Sequence, residues 1–273
     1  MSNWSSSDVI ANNIKIHYHR TGGDKPKLIL SHGITDNGLC WIRAAQVLEQ
    51  DYDVIMVDAR GHGLSDAPQT GFGPDERAAD LAGLIQALGL RKPCLMGHSM
   101  GAETTATTAA AYPDLVGCAV LEDPPWREQT STPEEQQAMF EEWRDRMIER
   151  KAKTRQGIVE TGRKENPKWA EIEFGPWSEA KLQVSMNVLQ AVNMPRKPWR
   201  DIIGKITCPT LLVTGDPALG AIVTPEVAAQ ATRQSPHIQV ARIEGAGHNI
   251  RRENFGQFMS VVTAFLKQVQ RPG

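Results

Sequence analysis

Residues 94–103 read Cys94-Leu95-Met96-Gly97-His98-Ser99-Met100-Gly101-Ala102-Glu103. Leu95 and Met96 extend an apolar run, Gly97 and Gly101 stand two places either side of Ser99, and Ala102, Ala106 and the Ala109 to Ala111 run supply strong helix formers. The order is buried strand, sharp turn, helix. G-x-S-x-G in that setting reads as a nucleophile elbow. The turn is tight enough that a Cβ at either glycine would strike the neighbouring strand or helix, and the serine itself takes a strained backbone conformation. That strain lifts the hydroxyl clear of the sheet edge and aims the first amides of the next helix at whatever the serine attacks. The competing reading is a small-residue turn with an incidental serine; the strand before and the helix after argue against it.

Working outward, Ile14 to His19 alternates with the period of a half-exposed strand and pairs naturally with Val9-Ile10 as an antiparallel edge hairpin. Leu28-Ile29-Leu30 is a short continuous apolar run, as expected of a strand covered on both faces. It leads into Ser31-His32-Gly33-Ile34, a helix from Leu39 to Gln50, a strand from Val54 to Val57 and the glycine-rich loop Asp58 to Asp66. A helix is expected over Glu76 to Leu88 and a strand over Val116 to Leu121. This strand–helix–strand rhythm implies a parallel sheet with crossover helices on both faces. It stops at Pro124-Pro125. From Trp126 to about Arg200 no strand-like run occurs, and charged helices are expected over Pro133 to Lys153 and Glu179 to Val192. Five of the seven tryptophans lie in that block. The rhythm resumes with a strand-like run from Thr210 to Gly215, a helix from Pro225 to Thr232, a strand from Ile238 to Ile243 and a closing helix from about Asn254 to Val269.

Composition bounds the class. The chain has 273 residues, 23% of them charged, 40% hydrophobic, with a formal net charge of -2, so neither a nucleic-acid surface nor an acidic tail is indicated. No run of 18 apolar residues exists, which leaves no membrane span, and the start, Met1-Ser2-Asn3-Trp4-Ser5-Ser6-Ser7-Asp8, lacks a signal-peptide pattern. Cys40, Cys94, Cys118 and Cys208 are widely spaced with no C-x-x-C pair. They are expected to be buried free thiols in a reducing, cytoplasmic compartment.

A serine hydroxyl needs an adjacent base. Of seven histidines, His248 lies in Glu244-Gly245-Ala246-Gly247-His248-Asn249, a loop after the last strand, where open α/β sheets place ligands. His17, His19 and His237 read as exposed strand or loop histidines. His32, His62 and His98 sit beside glycines and are expected to pack or to orient backbone. Arg60, Asp58 and Asp66 read as an ion-paired loop brace, and Glu103 as a surface or cap-pairing carboxylate.

The elbow, the Ser31-His32-Gly33-Ile34 turn, the Asp58 to Asp66 loop and the Gly245-Ala246-Gly247-His248 loop together resemble the α/β-hydrolase fold family, from about Lys27 to Leu266. The resemblance implies a mostly parallel eight-stranded sheet with helices on both faces, a core formed by residues 1–125 and 201–273, and an inserted helical cap over 126–200. It implies an oxyanion hole from the backbone amides of Met100 and Ile34. The family usually carries its acid in a Gly-x-x-Asp pattern after the penultimate strand. Here Gly215-Asp216-Pro217-Ala218 puts alanine at that position. Some members carry the acid after the strand that follows the elbow helix, where this chain has Leu121-Glu122-Asp123-Pro124-Pro125. Asp123 is the preferred acid, Asp216 the alternative, and Glu122 a third candidate.

Ligand pockets are mostly apolar and aromatic, so Trp41, Trp126, Trp143 and Met147 are the candidate pocket residues. Serine at the elbow disfavours the dehalogenase and epoxide-hydrolase branches, whose covalent chemistry needs a carboxylate there. No H-E-x-x-H occurs, and the chemistry calls for no metal and no cofactor. The reading is an esterase or lactonase acting on a small molecule, similar to bacterial carboxylesterases, some of which open acyl-homoserine lactones. Carbon–carbon bond hydrolysis, perhydrolysis, and a receptor-like binder with slow turnover are the alternatives.

Overall fold

A computed structural model of the chain describes residues 4–127, 132–192, 194 and 197–270. Met1-Ser2-Asn3 of the start, and residues 128–131, 193, 195 and 196 of the helical block, lie outside them. The chain opens with an antiparallel pair, β1 (Ser5–Ala11) and β2 (Ile14–Arg20), turned by Asn12 and Asn13, both at positive φ. Then follow β3 (Lys27–Ser31), α1 (Ile42–Leu48), β4 (Asp53–Val57), α2 (Pro74–Ala87), β5 (Cys94–His98), α3 (Met100–Ala111) and β6 (Cys118–Glu122). A helical insert comes next: α4 (Pro133–Lys151), α5 (Arg155–Glu165), α6 (Glu171–Gln183) and α7 (Trp199–Ile203). The chain then returns through β7 (Thr210–Thr214), α8 (Pro225–Gln234), β8 (Ile238–Arg242), α9 (Ile250–Glu253) and α10 (Phe255–Gln270).

The eight strands form one sheet in the order β1-β2-β4-β3-β5-β6-β7-β8, antiparallel at β1/β2 and β2/β4 and parallel elsewhere. The central strands read as unbroken apolar runs because helices cover both faces. Their side chains still alternate. Ile29, Ile55, Leu95 and Leu121 pack on Leu81, Ile85, Ala102 and Ala106 of α2 and α3. Leu28, Leu30, Val54, Met56, Met96 and Val120 pack on Leu48 of α1 and on Phe258, Val262, Phe265 and Leu266 of α10. Parallel pairing also collects the C-terminal ends of β3, β5, β6, β7 and β8 at one edge of the sheet. The turns that hold Ser99, Asp123 and His248 all start from that edge.

The insert has its own order. At its start the Thr132 hydroxyl accepts the Glu135 amide while the Glu135 carboxylate accepts the Thr132 amide, a capping box with Pro133 at the first helical position. Trp169, Phe174 and Trp177 cluster with Ile158 and Val159 and seat on Cys40 of the sheet domain. Met147, Val184, Val188 and Leu189 seat on Phe72. The helix expected over Glu179 to Val192 is not continuous. α6 ends at Gln183, and a 3-10 turn spans Met186–Val192. The break has a tertiary cause: the Ser185 amide leaves the helical ladder to donate to the Gly61 carbonyl at 2.8 Å.

Two other expectations fail. Cys94 and Cys118 are not free thiols but a disulfide, because they are register partners on β5 and β6 with Cα atoms 4.6 Å apart. Cys40 and Cys208 are free and buried, so the premise of four thiols behind the reducing-compartment reading does not hold. His17 is not exposed; it is buried in β2 with Nδ1 2.6 Å from Asp8 and Nε2 2.9 Å from the Ser6 hydroxyl. No helix among the described residues is long and apolar enough to cross a membrane.

Candidate active site

The elbow is as tight as the sequence demands. A Cβ on Gly97 would lie 2.1 Å from the Gly101 carbonyl oxygen, and one on Gly101 would lie 2.1 Å from that of Ser31. Both obstacles are backbone, which cannot swing aside. Between them Ser99 sits at φ 53°, ψ −116°, outside the ordinary regions for a residue with a side chain. Its amide is held by the Glu122 carbonyl at 2.9 Å. Met100 is the first residue of α3, where an N–H has no intrahelical acceptor.

His248 stands on the turn between β8 and α9. Its Nε2 is 3.0 Å from Ser99 Oγ and its Nδ1 is 2.6 Å from Asp123 Oδ2. A carboxylate only accepts, so Nδ1 carries the proton and Nε2 accepts from the serine hydroxyl. The turn is clamped from both sides: Glu253 accepts the amides of Gly247 at 2.7 Å and Asn249 at 3.2 Å. The His98 ring donates to the His248 carbonyl at 3.0 Å, and burial holds its pKa well below the usual histidine value, so it stays neutral.

Asp123 is fully buried and sits at φ 43°. Besides His248 it accepts the Ile222 amide at 2.8 and 3.1 Å and the Val223 amide at 2.9 Å. The loop after β7, where the sequence offered Asp216, supplies the two N–H groups that hold Asp123. Asp216 faces its own loop and caps it, accepting the Ala218 amide at 3.1 Å. Glu122 is committed to Arg251, accepting its amide at 2.8 Å and its guanidinium at 3.0 Å. Of the three carboxylates, only Asp123 is bonded to His248.

The loops around the serine are tied by histidines and buried ions. His32 bonds the Gly33 carbonyl with Nδ1 and accepts the Ala59 amide at Nε2, 3.0 Å away. His62 bonds the Arg60 carbonyl and accepts the Thr35 amide. Lys181 of α6 reaches across to donate to the Thr35 carbonyl and hydroxyl and to Asp36, all within 2.9 Å. Asp36 also faces Arg252 at 3.0 Å, and Arg252 bonds Glu173 at 3.2 Å. Burial would raise the Asp36 pKa, but Arg252, Lys181 and Arg251 outweigh it and hold the carboxyl well below the usual range. These ties were not read from the sequence, because Asp36, Lys181 and Arg252 are far apart in the chain and each alone looks like a surface charge. The expected ion-paired brace is also different. Arg60 pairs with Asp80 at 2.6 Å, while Asp58 and Asp66 accept backbone amides of Gly38, Leu64 and Lys15. Glu103 is buried and paired with Arg77 of α2 at 2.6 Å.

Ser99, His248, Ile34 and Met100 all line one cavity of about 530 Å³ between the sheet edge and the insert. Trp143 lines it as expected. Met147 does not, being packed against Phe72 and Val184. Trp126 stacks on Trp199 at 5.5 Å inside the core, and Trp41 is buried beneath Arg251 at 4.0 Å. Trp169 and Trp177 take their place in the wall. The sequence showed that the insert is rich in tryptophan, but which faces point inward depends on how its helices dock.

Residues 26–254 match the family model of the alpha/beta hydrolase fold. The chain belongs to the α/β-hydrolase fold family. Within that family it is similar to the 2-(acetamidomethylene)succinate hydrolase of Mesorhizobium japonicum, with 43% identity over 104 residues, a stretch covering 38% of this chain and 37% of that one. It is 28% identical to the N-formylmaleamate deformylase of Pseudomonas putida across 96% of both chains. The solved N-formylmaleamic acid deformylase of Pseudomonas putida S16 superposes with a TM-score of 0.80 and 23% identity over 94% of this α/β-hydrolase and 100% of that chain.

Proposed function

We propose that the protein is a serine hydrolase that cleaves a small carboxylic acid derivative through an acyl-enzyme. The observation that carries this reading is the unbroken chain from Ser99 Oγ to His248 to buried Asp123, at 3.0 and 2.6 Å, opening on a cavity large enough for a small molecule. Ser99 attacks the substrate carbonyl while His248 Nε2 takes the hydroxyl proton. Asp123 holds the imidazole in the tautomer that can accept it and stabilises the imidazolium. The amides of Met100 and Ile34 receive the developing oxyanion, and losing one such donor typically costs about 3–4 kcal/mol. The intermediate collapses, His248 protonates the leaving group, and the same imidazole then activates water against the acyl-serine. In this reading residues 126–200 are a cap domain over a core of 1–125 and 201–273.

Two leaving groups fit these steps: the alcohol of an ester or lactone, and the nitrogen of an amide. The first is the reading carried by the serine elbow and its esterase-like sequence context. The amide reading is favoured by the end-to-end similarity to a deformylase. The test is turnover of a 4-nitrophenyl ester and of an N-formyl or N-acetyl amide of matched size, with Ser99→Ala as the control. A fluorophosphonate probe should add once, at Ser99. Equal labelling of the Ser99→Ala protein would remove the nucleophile assignment, and a single burst without steady turnover would favour a slow, receptor-like binder.

A further inference from the structure

The cavity that holds Ser99 is lined by six cationic side chains, Arg77, Arg127, Arg146, Arg150, Lys181 and Arg252, against two carboxylates, Asp36 and Glu165. Three of these cations are committed to the protein. Arg77 is buried on Glu103, Thr104 and the Phe72 carbonyl, and Lys181 and Arg252 are locked by Asp36 and Glu173. Two others are held loosely. Arg146 and Arg150 lie one turn apart on α4, and with Met139 and Trp143 they form the stripe that this helix turns to the cavity. Arg146 meets Glu142 one turn back, in a pair whose side chains are 48% and 64% exposed. Arg150 is more enclosed, at 23%, yet its acidic neighbour Glu165 is half-exposed and 3.7 Å away, beyond hydrogen-bonding distance. Exposed pairs of this kind give up their partners readily. Burial lowers the Arg150 pKa, with Glu165 opposing, so an enclosed anion beside it would restore what desolvation removes.

We propose that Arg146 and Arg150 form a carboxylate-binding subsite, and that the substrate of Ser99 is an acyl compound bearing a carboxylate at its far end. The proposal rests on the serine-hydrolase reading and narrows its substrate class. Guanidinium groups present forked N–H donors that match a carboxylate two bonds at a time, and the partial burial of Arg150, 23% exposed, strengthens the pairing there. Trp143 and Trp177 line the same cavity, with the Arg150 guanidinium 5.5 Å from the Trp177 ring, and their apolar surfaces suit the short chain between the carboxylate and the scissile carbonyl.

The test compares mono-4-nitrophenyl glutarate and adipate with 4-nitrophenyl pentanoate and hexanoate, which differ in ending on a carboxylate or a methyl group, with buffer hydrolysis subtracted. The wild-type kcat/KM should favour the anionic member of each pair at least tenfold. Arg146→Gln/Arg150→Gln should cut that ratio at least tenfold, mainly through KM, and 0.5 M KCl should narrow it in the wild type, as screening requires. A wild-type ratio of one or less, or a ratio unchanged in the double variant, overturns the subsite while turnover of the pentanoate leaves the serine reading standing. If no ester of either kind is turned over, the serine reading has failed, and the subsite is judged by binding alone. Glutarate should then change the tryptophan fluorescence of Ser99→Ala saturably, and the change should vanish when both arginines are replaced. Absence of a saturable change, or tighter binding of inorganic phosphate than of glutarate, overturns it.

Discussion

Replacing Asp123 by asparagine tests the site most directly, because the structure fixes what the amide would do. Oδ1 of Asp123 accepts from Val223 and Ile222, and Oδ2 accepts from Ile222 and from His248 Nδ1. An asparagine that keeps its oxygen on the Val223 amide must turn its NH₂ toward His248. Nδ1 then becomes the acceptor, the ring proton moves to Nε2, and Ser99 faces a donor where it needs a base. The opposite orientation saves the tautomer but sets NH₂ against the Val223 N–H at 2.9 Å, leaving a buried donor unsatisfied at a cost of about 1–3 kcal/mol. The Val223 amide therefore favours the inactive arrangement, in which the Ile222 amide keeps its 3.1 Å bond to Oδ1. The wrong tautomer costs ~10⁴ in kcat in a comparable triad, and that is the loss expected here. Asp216→Asn keeps an Oδ1 acceptor for the Ala218 amide and removes only a loop charge that is not bonded to His248, so it should change kcat less than threefold, comparable with the ~0.5 kcal/mol of an ordinary surface substitution. The assay is single-turnover and steady-state hydrolysis of one activated ester by each variant, with circular dichroism to confirm folding. Activity within tenfold of wild type in Asp123→Asn, with collapse in Asp216→Asn, would refute the reasoning.

Two further outcomes follow from the buried charges. His62 and His98 are buried, and burial holds both pKa values well below the usual histidine value. Below about pH 6.5 the unfolded chain takes up protons that these folded histidines refuse, so each should cost about 1.4 kcal/mol of stability per pH unit on acidification. Urea midpoints between pH 7 and pH 5 should show this slope, and His62→Gln should lower it by one proton; an unchanged slope would mean that His62 charges in place. Lys181→Met removes three hydrogen bonds to Thr35 and Asp36 and should destabilise by about 3 kcal/mol, the low end for breaking a buried pair, since Arg252 still faces Asp36. Chemical denaturation checks it, and Asp36→Asn added to Lys181→Met should recover part of the loss; full additivity would show that the two do not act as a pair.

The sequence alone determined the parts of this protein that depend on neighbours in the chain. Gly97-His98-Ser99-Met100-Gly101 states its own backbone geometry, because no other residues fit a turn whose carbonyls pass 2.1 Å from where a Cβ would stand. The central strands of the sheet announce themselves as apolar runs, and their rhythm with the helices requires parallel pairing among them. His248 was legible because a glycine-rich turn after a last strand lies where a parallel sheet gathers its active loops. Tertiary structure decided what depends on distance across the fold. Asp123 and Asp216 are both plausible by position, and only the packing of the β7 loop gives one the His248 ring and the other its own turn. Cys94 and Cys118 are 24 residues apart, and strand register makes them neighbours. Arg146, Arg150 and Lys181 read as solvated helix charges, and only the docking of the insert places them in the wall of the cavity that holds Ser99. A helix sequence specifies which residues share a face, but the face that meets the cavity is chosen by the Phe72 and Cys40 contacts that seat the insert on the sheet.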